Sequence, residues 1–457
     1  MASPYEFIET HRERFEDELK SFLRIKSVSA DSTCKPAIEE ACQFVARKMR
    51  SAGLATEIIP TVGNPLVYGE SLLAPGQPTI LVYGHYDVQP SDPDDKWESP
   101  AFEPTVRGGN IYARGATDDK GQMYLHLNAI EAWMKTVGKL PINVKVIIEG
   151  EEEVGSSGIG DALSTLKDRL SCDAVVISDS SMYAPDQPAI TYGLKGICYF
   201  EIYLDGPKRD LHSGTFGGSV KNPINALTEM LAQLVDPDGR VRVPGFYDDV
   251  LPLSEAERTS IARLPFSDEE YRSEMGVDDL FGEKGYSTLE RRWARPTCDI
   301  NGIWGGYQGE GAKTVLPAKA GAKFSFRLVP NQEPSKIESA LKAYLEEIKP
   351  KGISIAIKHH HGAAAVVVPL ESPTVRAASR ALQKAYGKKP FYIREGGSIP
   401  ICSSFKEVLG VDSLLLGFGL NDDNTHSPNE KFCLKDYHRG ALAIAYLFEE
   451  LANKGDG

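Results

Sequence analysis

Several segments of this chain deliver imidazoles and carboxylates from the ends of apolar runs, where cation binding and proton transfer can be built. In TILVYGHYDVQP, His85 closes a strand-like run and Asp87 follows two residues later on the same side of the extended chain. A metal-bound imidazole must be held in one tautomer. A carboxylate accepting its other N–H does this and raises its basicity. Taken alone, an H-x-D pair is better explained as a strand-end histidine bonded to backbone.

In RGATDDKGQ, Asp118 and Asp119 sit side by side on the turn that opens a helix. Adjacent acids repel, and the repulsion is relieved if one is a metal ligand; a carboxylate can bridge two cations about 3.5–4 Å apart. Capping of the helix N-terminus accounts for the pair equally well. VIIEGEEEVGSSG places four carboxylates within five residues, directly after a strand that should be mostly buried. A solvated charge run seldom follows so apolar a strand, and metal-assisted hydrolysis needs two acids with different tasks, one a ligand and one a base. DAVVISDSS ends another strand in Asp179, and GLNDDNTHSPNE offers His426 in a polar loop. Two histidines and three carboxylates from five strand ends form the nitrogen and oxygen donor set that zinc, manganese or cobalt prefers.

For these residues to meet, the elements that carry them must share one edge. The periodicity predicts a helix near 37–53, a strand at 79–84, a helix at 122–136 and strands at 142–149 and 174–178. Such alternation argues for an α/β sheet layered with helices, with ligands at the carboxyl edge of the strands. A second unit begins near Gly206-Pro207: strand 197–204 leads into it, followed by helix 222–235, strand 322–328, helix 335–348 and strand 353–358. The stretch 236–316 is loop-rich and shows too little periodicity to assign. After Pro369 come a helix at 373–386, the Gly-rich turn Glu395-Gly396-Gly397-Ser398, a strand at 411–417 and an amphipathic helix at 436–453, as if the chain returned to its first sheet. The architecture expected is a discontinuous catalytic domain interrupted by an inserted one.

A chain of 457 residues should hold about two or three compact units. With 41% hydrophobic and 25% charged residues the composition is globular. The net charge of −13 lacks the footprint of a nucleic-acid binder. Seven scattered cysteines, none spaced C-x-x-C, suggest neither a disulfide framework nor a thiolate zinc site and fit a reducing cytoplasm. The N-terminal segment reads as one amphipathic helix through Phe7, Ile8, Phe15, Leu19, Phe22 and Leu23 rather than a signal peptide, and no apolar run approaches the ~20 residues of a membrane span.

Taken in order, GHYDVQP, TDDKG, EGEEEVGS, SDSS, DLHSGTFGG, FRLVPN, REGGSIP and THSPNE resemble the aminoacylase and carboxypeptidase G metallopeptidase family. HSGTFGG, GAKTVLP and REGGSIP look like its branch of cytosolic nonspecific dipeptidases and carnosinases. The resemblance implies an α/β fold with a catalytic domain built from 1–206 and 371–457, a central mixed sheet flanked by helices, and an inserted α+β lid and dimerisation domain at 207–370. It implies two divalent ions per subunit, Zn²⁺ or Mn²⁺ with Co²⁺ as a third option, held by His85, Asp118, Glu153, Asp179 and His426, with Asp118 bridging. Asp87 would orient His85, and Glu152 would be the general base. His212 resembles the histidine that polarises the scissile carbonyl, Arg327 the residue that pairs with a substrate carboxylate, and Thr314 and Ser398 positions that contact the substrate backbone. Their plain alternatives are a loop hydrogen bond, a solvent-facing strand arginine and ordinary turn residues.

Lys195 departs from the family, which commonly has Arg there. The run His359-His360-His361 falls on a lid strand without partner ligands and reads as a surface feature. The function expected is hydrolysis of dipeptides or short peptides with a free C-terminal carboxylate by a homodimer, with no nucleic-acid or membrane partner. An N-acyl amino acid deacylase could use the same centre. A silent binding protein would have lost Glu152.

Overall fold

Four strands rich in aliphatic residues, Asn143–Glu149, Thr79–His85, Ala174–Ile177 and Ser413–Leu415, run parallel and adjacent in this order in the structure, a computed structural model that describes residues 2–453. They are buried along almost their whole length, as parallel strands covered on both faces must be. Leu66–Ser71 and Ala55–Ile59 extend the sheet antiparallel on one side and Ala189–Leu194 on the other, which makes the sheet mixed.

This sheet belongs to the first of two units, made of Met1–Tyr192, Val368–Ile393 and Ser404–Gly457; the second comprises Gly193–Val367 and Arg394–Ser403. In the first unit the helix Lys120–Thr136 is buried on every side from Lys120 to Ala132, because it lies between the Thr79–His85 strand and the Leu434–Ala452 helix. Leu434–Ala452 in turn packs on Pro373–Tyr386, so the C-terminal segment completes the layer over the sheet. The N-terminal segment forms two helices, Pro4–Thr10 and Arg12–Leu23, where one was expected. The break has a local cause: Thr10 Oγ1 bonds back to the Glu6 carbonyl at 2.8 Å, and the His11 ring takes up the Phe7 carbonyl and stacks on the Phe7 ring.

The second unit is built on an antiparallel sheet in the order Thr297–Gly305, Lys319–Leu328, Gly196–Asp205, Ser354–Ala363. Alternation divides its faces. Cys198, Phe200, Ile202 and Leu204 pack with Ala322, Phe324 and Phe326 against the helices Pro223–Leu231 and Pro334–Ile348. Phe200, Phe324 and Phe326 lie with ring centroids 5.8–6.0 Å apart, and each buried ring is worth roughly 1.5–3 kcal/mol of transfer free energy. The opposite face carries Tyr199, Lys323 and Arg327. The unassigned stretch 236–316 holds three short helices, Glu255–Ala262, Asp268–Met275 and Thr288–Ala294, before the Thr297–Gly305 strand. No disulfide joins any of the seven cysteines, and among the described residues no helix is long and apolar enough to cross a membrane.

Candidate metal centre

His85 is the last residue of its strand and is fully buried. The parallel register sets His85 opposite Glu149 and Tyr83 opposite Ile177, so the chain leaves all three strands at one edge, toward Asp87, Glu151–Glu153 and Asp179. Gly84 has to be glycine: a Cβ there would sit 2.7 Å from Asp119 Oδ2 and 2.7 Å from Met123 Cγ. The bare backbone lets the Asp118-Asp119 turn, whose peptide is cis, close against the strand.

Asp87 orients three residues at once. Its Oδ1 is 3.3 Å from His85 Nδ1, and its oxygens accept the backbone N–H of Glu152 at 3.3 Å and of Glu153 at 3.2 Å. His85 Nδ1 also lies 3.1 Å from the Asp87 carbonyl. The far nitrogen, Nε2, is buried 3.2 Å from Asp118 Oδ1 but lacks hydrogen-bond geometry to any described residue, and Glu153 Oε1 is likewise buried without a hydrogen-bond partner. His426, held at a positive φ of 59°, places Nε2 2.8 Å from Asp118 Oδ2 and 3.3 Å from Glu153 Oε2. Gln89 steadies Glu153 through a 2.7 Å bond to Oε2.

Ligand-capable atoms of His85, Asp118 and Asp179 lie within 4.8 Å of one another, and so do those of Asp118, Glu153 and His426. Asp118 belongs to both groups, while Glu152 and the run His359–His361 belong to neither. The electrostatics say what such a set needs. Burial pushes Asp179 up to about 7, with the Asp118 charge adding to it, and burial likewise raises Glu152 well above the ordinary carboxylate range despite the pull of His85. Burial also works against ionised Asp118, yet the neighbouring His426 and His85 rings hold its carboxyl well below the usual value. Contacts with Asp118 and Glu153 raise His426 to about 10. Acids this crowded call for more positive charge than the histidines bring, and divalent cations would supply it. The donors are nitrogen and oxygen only, and two of them end in buried atoms without hydrogen-bond partners, so the residues fit divalent metal.

Sequence reasoning passed over the residues that hold the Asp118 loop. Glu430, fully buried, accepts Arg114 Nη1 at 2.7 Å and the backbone N–H groups of Gly115, Thr117 and Asp118 at 2.9, 3.0 and 3.1 Å. Burial lifts its carboxyl to about 7, while Arg114 and these amides pull the other way. Asp423 accepts the Leu420 amide at 2.7 Å and Lys431 Nζ at 2.9 Å, and lies 3.0 Å from Thr117 Oγ1. Glu430 stood in THSPNE; its signal was an acid four residues past the histidine.

The other predicted residues lie in the second unit. His212, exposed, accepts the Gly214 amide on Nδ1 at 3.0 Å, so the neutral ring carries its proton on Nε2 and can donate from there. The two-residue strand Leu211–His212 pairs with Val315–Leu316, His212 opposite Val315, and the Ser213 amide bonds the Thr314 carbonyl at 3.1 Å, so His212 and Thr314 lie on adjoining backbone segments. Arg327 donates to Ser398 Oγ at 2.9 Å, and Ser398 Oγ donates to the Lys195 carbonyl. Among the described residues no hydrogen bond or ion pair joins the first pair to the second. Arg327 has no acid within ion-pair distance among them, and burial, offset in part by Asp299, lowers its pKa. Lys195 bonds the Arg291 carbonyl at 2.9 Å, and burial with the Arg327 charge brings it down to about 7. In the histidine run, His359 pairs with Glu338 at 2.9 Å, His360 with Glu201 at 2.8 Å, and His361 stacks on Tyr199.

Residues 81–450 match the family described as Peptidase family M20/M25/M40. The Cys-Gly metallodipeptidase dug1 of Schizosaccharomyces pombe is 34% identical over 98% of this chain and 98% of its own length. The Beta-Ala-His dipeptidase of Mus musculus is 33% identical over 99% of this chain and 96% of its own. The crystal structure of an M20 family metallo-carboxypeptidase from Sulfolobus solfataricus superposes with a TM-score of 0.87 at 34% identity, covering 96% of this chain and 99% of that one.

Proposed function

This chain belongs to the M20/M25/M40 peptidase family, and we propose that it is a two-metal dipeptidase acting on short peptides with a free C-terminal carboxylate. The observation that carries this reading is the pair of ligand groups sharing Asp118 at the carboxyl edge of the sheet. His85, Asp118 and Asp179 would hold one ion, and Asp118, Glu153 and His426 the other. The ions, Zn²⁺ or Mn²⁺ with Co²⁺ as a third option, supply an acidified water and polarisation of the peptide carbonyl.

The chain's own residues do the rest. Asp87 keeps the His85 proton on Nδ1, which presents Nε2 as a donor of electrons. Glu152, outside both ligand groups and raised by burial, takes the water's proton on its carboxylate and hands it to the leaving amine. His212 would donate its Nε2–H to the oxygen on which charge develops, from the lid of a second copy as the resemblance implies. Arg327, without a paired acid, is suited to the substrate carboxylate, with Ser398 beside it and Thr314 beside His212. The relatives' names, Cys-Gly and Beta-Ala-His dipeptidase, support dipeptides as the substrate class. Seven cysteines without a disulfide among them support a reducing compartment such as the cytoplasm.

The test is removal of metal with a strong chelator, followed by assay on Cys-Gly, β-Ala-His and N-acetyl amino acids as Mn²⁺, Zn²⁺ or Co²⁺ is added back. Dipeptide hydrolysis should vanish and return with metal. Undiminished activity in metal-free protein, or turnover of the acetylated compounds alone, overturns the reading.

A further inference from the structure

Glu430 lies four residues beyond His426, yet its carboxylate is spent on a different loop. Arg114 and the amides of Gly115, Thr117 and Asp118 all donate to it, and the Ala113 amide donates to the Glu430 carbonyl at 3.1 Å. Four donors from five consecutive residues thus converge on one buried side chain, and bonds to a charged acceptor are roughly twice as strong as neutral ones. Its Oε1 takes the amide of Asp118 itself, the residue common to both ligand groups. Asp423 adds a second tie between the same loops, through Thr117 and Lys431.

We propose that Glu430 is a positioning residue of the metal centre: it locks the loop bearing Asp118 to the loop bearing His426 and so fixes the spacing of the Asp118, Glu153 and His426 group. The inference rests on the reading of those residues as ligands. Because Asp118 is common to both groups, both feel the loss of Glu430, but unequally. His85 and Asp179 are set by strand ends that Glu430 does not touch, whereas His426 depends on the loop it anchors.

Glu430→Gln keeps the volume but turns one acceptor into a donor that faces either Arg114 and the Gly115 amide or the Thr117 and Asp118 amides. Metal-free wild type and variant are titrated with Mn²⁺ by calorimetry. Wild type should bind two ions; in the variant one step should weaken tenfold or more while the other weakens by a clearly smaller factor. Glu131→Gln serves as a matched control, because it disturbs a buried cluster with Lys48 and Arg14 in the same unit. It should lower the melting temperature and leave both steps in place. If Glu430→Gln does not fold, Asp423→Asn carries the same test with the same expectation. Two steps unchanged from wild type, or both weakened alike, overturn the proposal alone. A wild type that binds no divalent ion overturns the underlying reading together with it.

Discussion

Glu152 and Glu153 are neighbours in the chain with the same side chain, and Asp87 holds the amides of both. What separates them is where the carboxylates go. Glu153 reaches His426 and joins a ligand group with one oxygen left unbonded, whereas Glu152 stays outside and is raised by burial. Glu152→Gln should therefore keep its metal and lose turnover by ~10²–10⁴-fold, while Glu153→Gln should lose metal as well. Metal content and kcat measured on both variants decide it, and the reverse pattern would swap base and ligand. The residues of the two ligand groups were legible because each stood at the end of an apolar run or in a short polar motif, and the strand register brings three of their segments, those leading to His85, Glu153 and Asp179, to one edge. Glu430 was not. A single glutamate in a polar loop resembles any solvated acid until the four donors around it are seen.

Elements with strong periodicity were read within a few residues, as with 373–386, which is a helix over those same residues. The stretch 236–316 failed because its helices run seven or eight residues, too short for a hydrophobic period to show. Their starts were nonetheless written in the chain. Ser254, Ser267 and Ser287 each cap a helix by accepting the amide of a glutamate three residues on, Glu257, Glu270 and Glu290. Only at Ser287 does the glutamate reach back to complete a capping box, and there Glu290 also binds Arg258 through bonds of 2.7 and 3.1 Å. Ser287→Ala should cost about 1 kcal/mol in chemical denaturation. Glu290→Ala should cost more, since it removes the box and leaves Arg258 unpaired, although that side chain's exposure limits the excess. Equal losses would show that the cap alone matters.

At the scale of the whole molecule, the residues proposed for chemistry divide between the two units: the metal ligands and Glu152 in the first, His212, Thr314, Arg327 and Ser398 in the second. If His212 serves the site of a second copy, two dead variants should repair each other. Glu152→Ala and His212→Ala are mixed under conditions that exchange subunits, with exchange shown separately by a tagged pull-down. In a mixed dimer acting in trans, the site with intact Glu152 receives the intact His212, and the other site carries both lesions. Random exchange makes half the dimers mixed and one of their two sites works, so activity should recover to roughly a quarter of wild type in a two-fold dimer. If each histidine serves its own subunit, every site keeps one lesion, and mixing restores nothing.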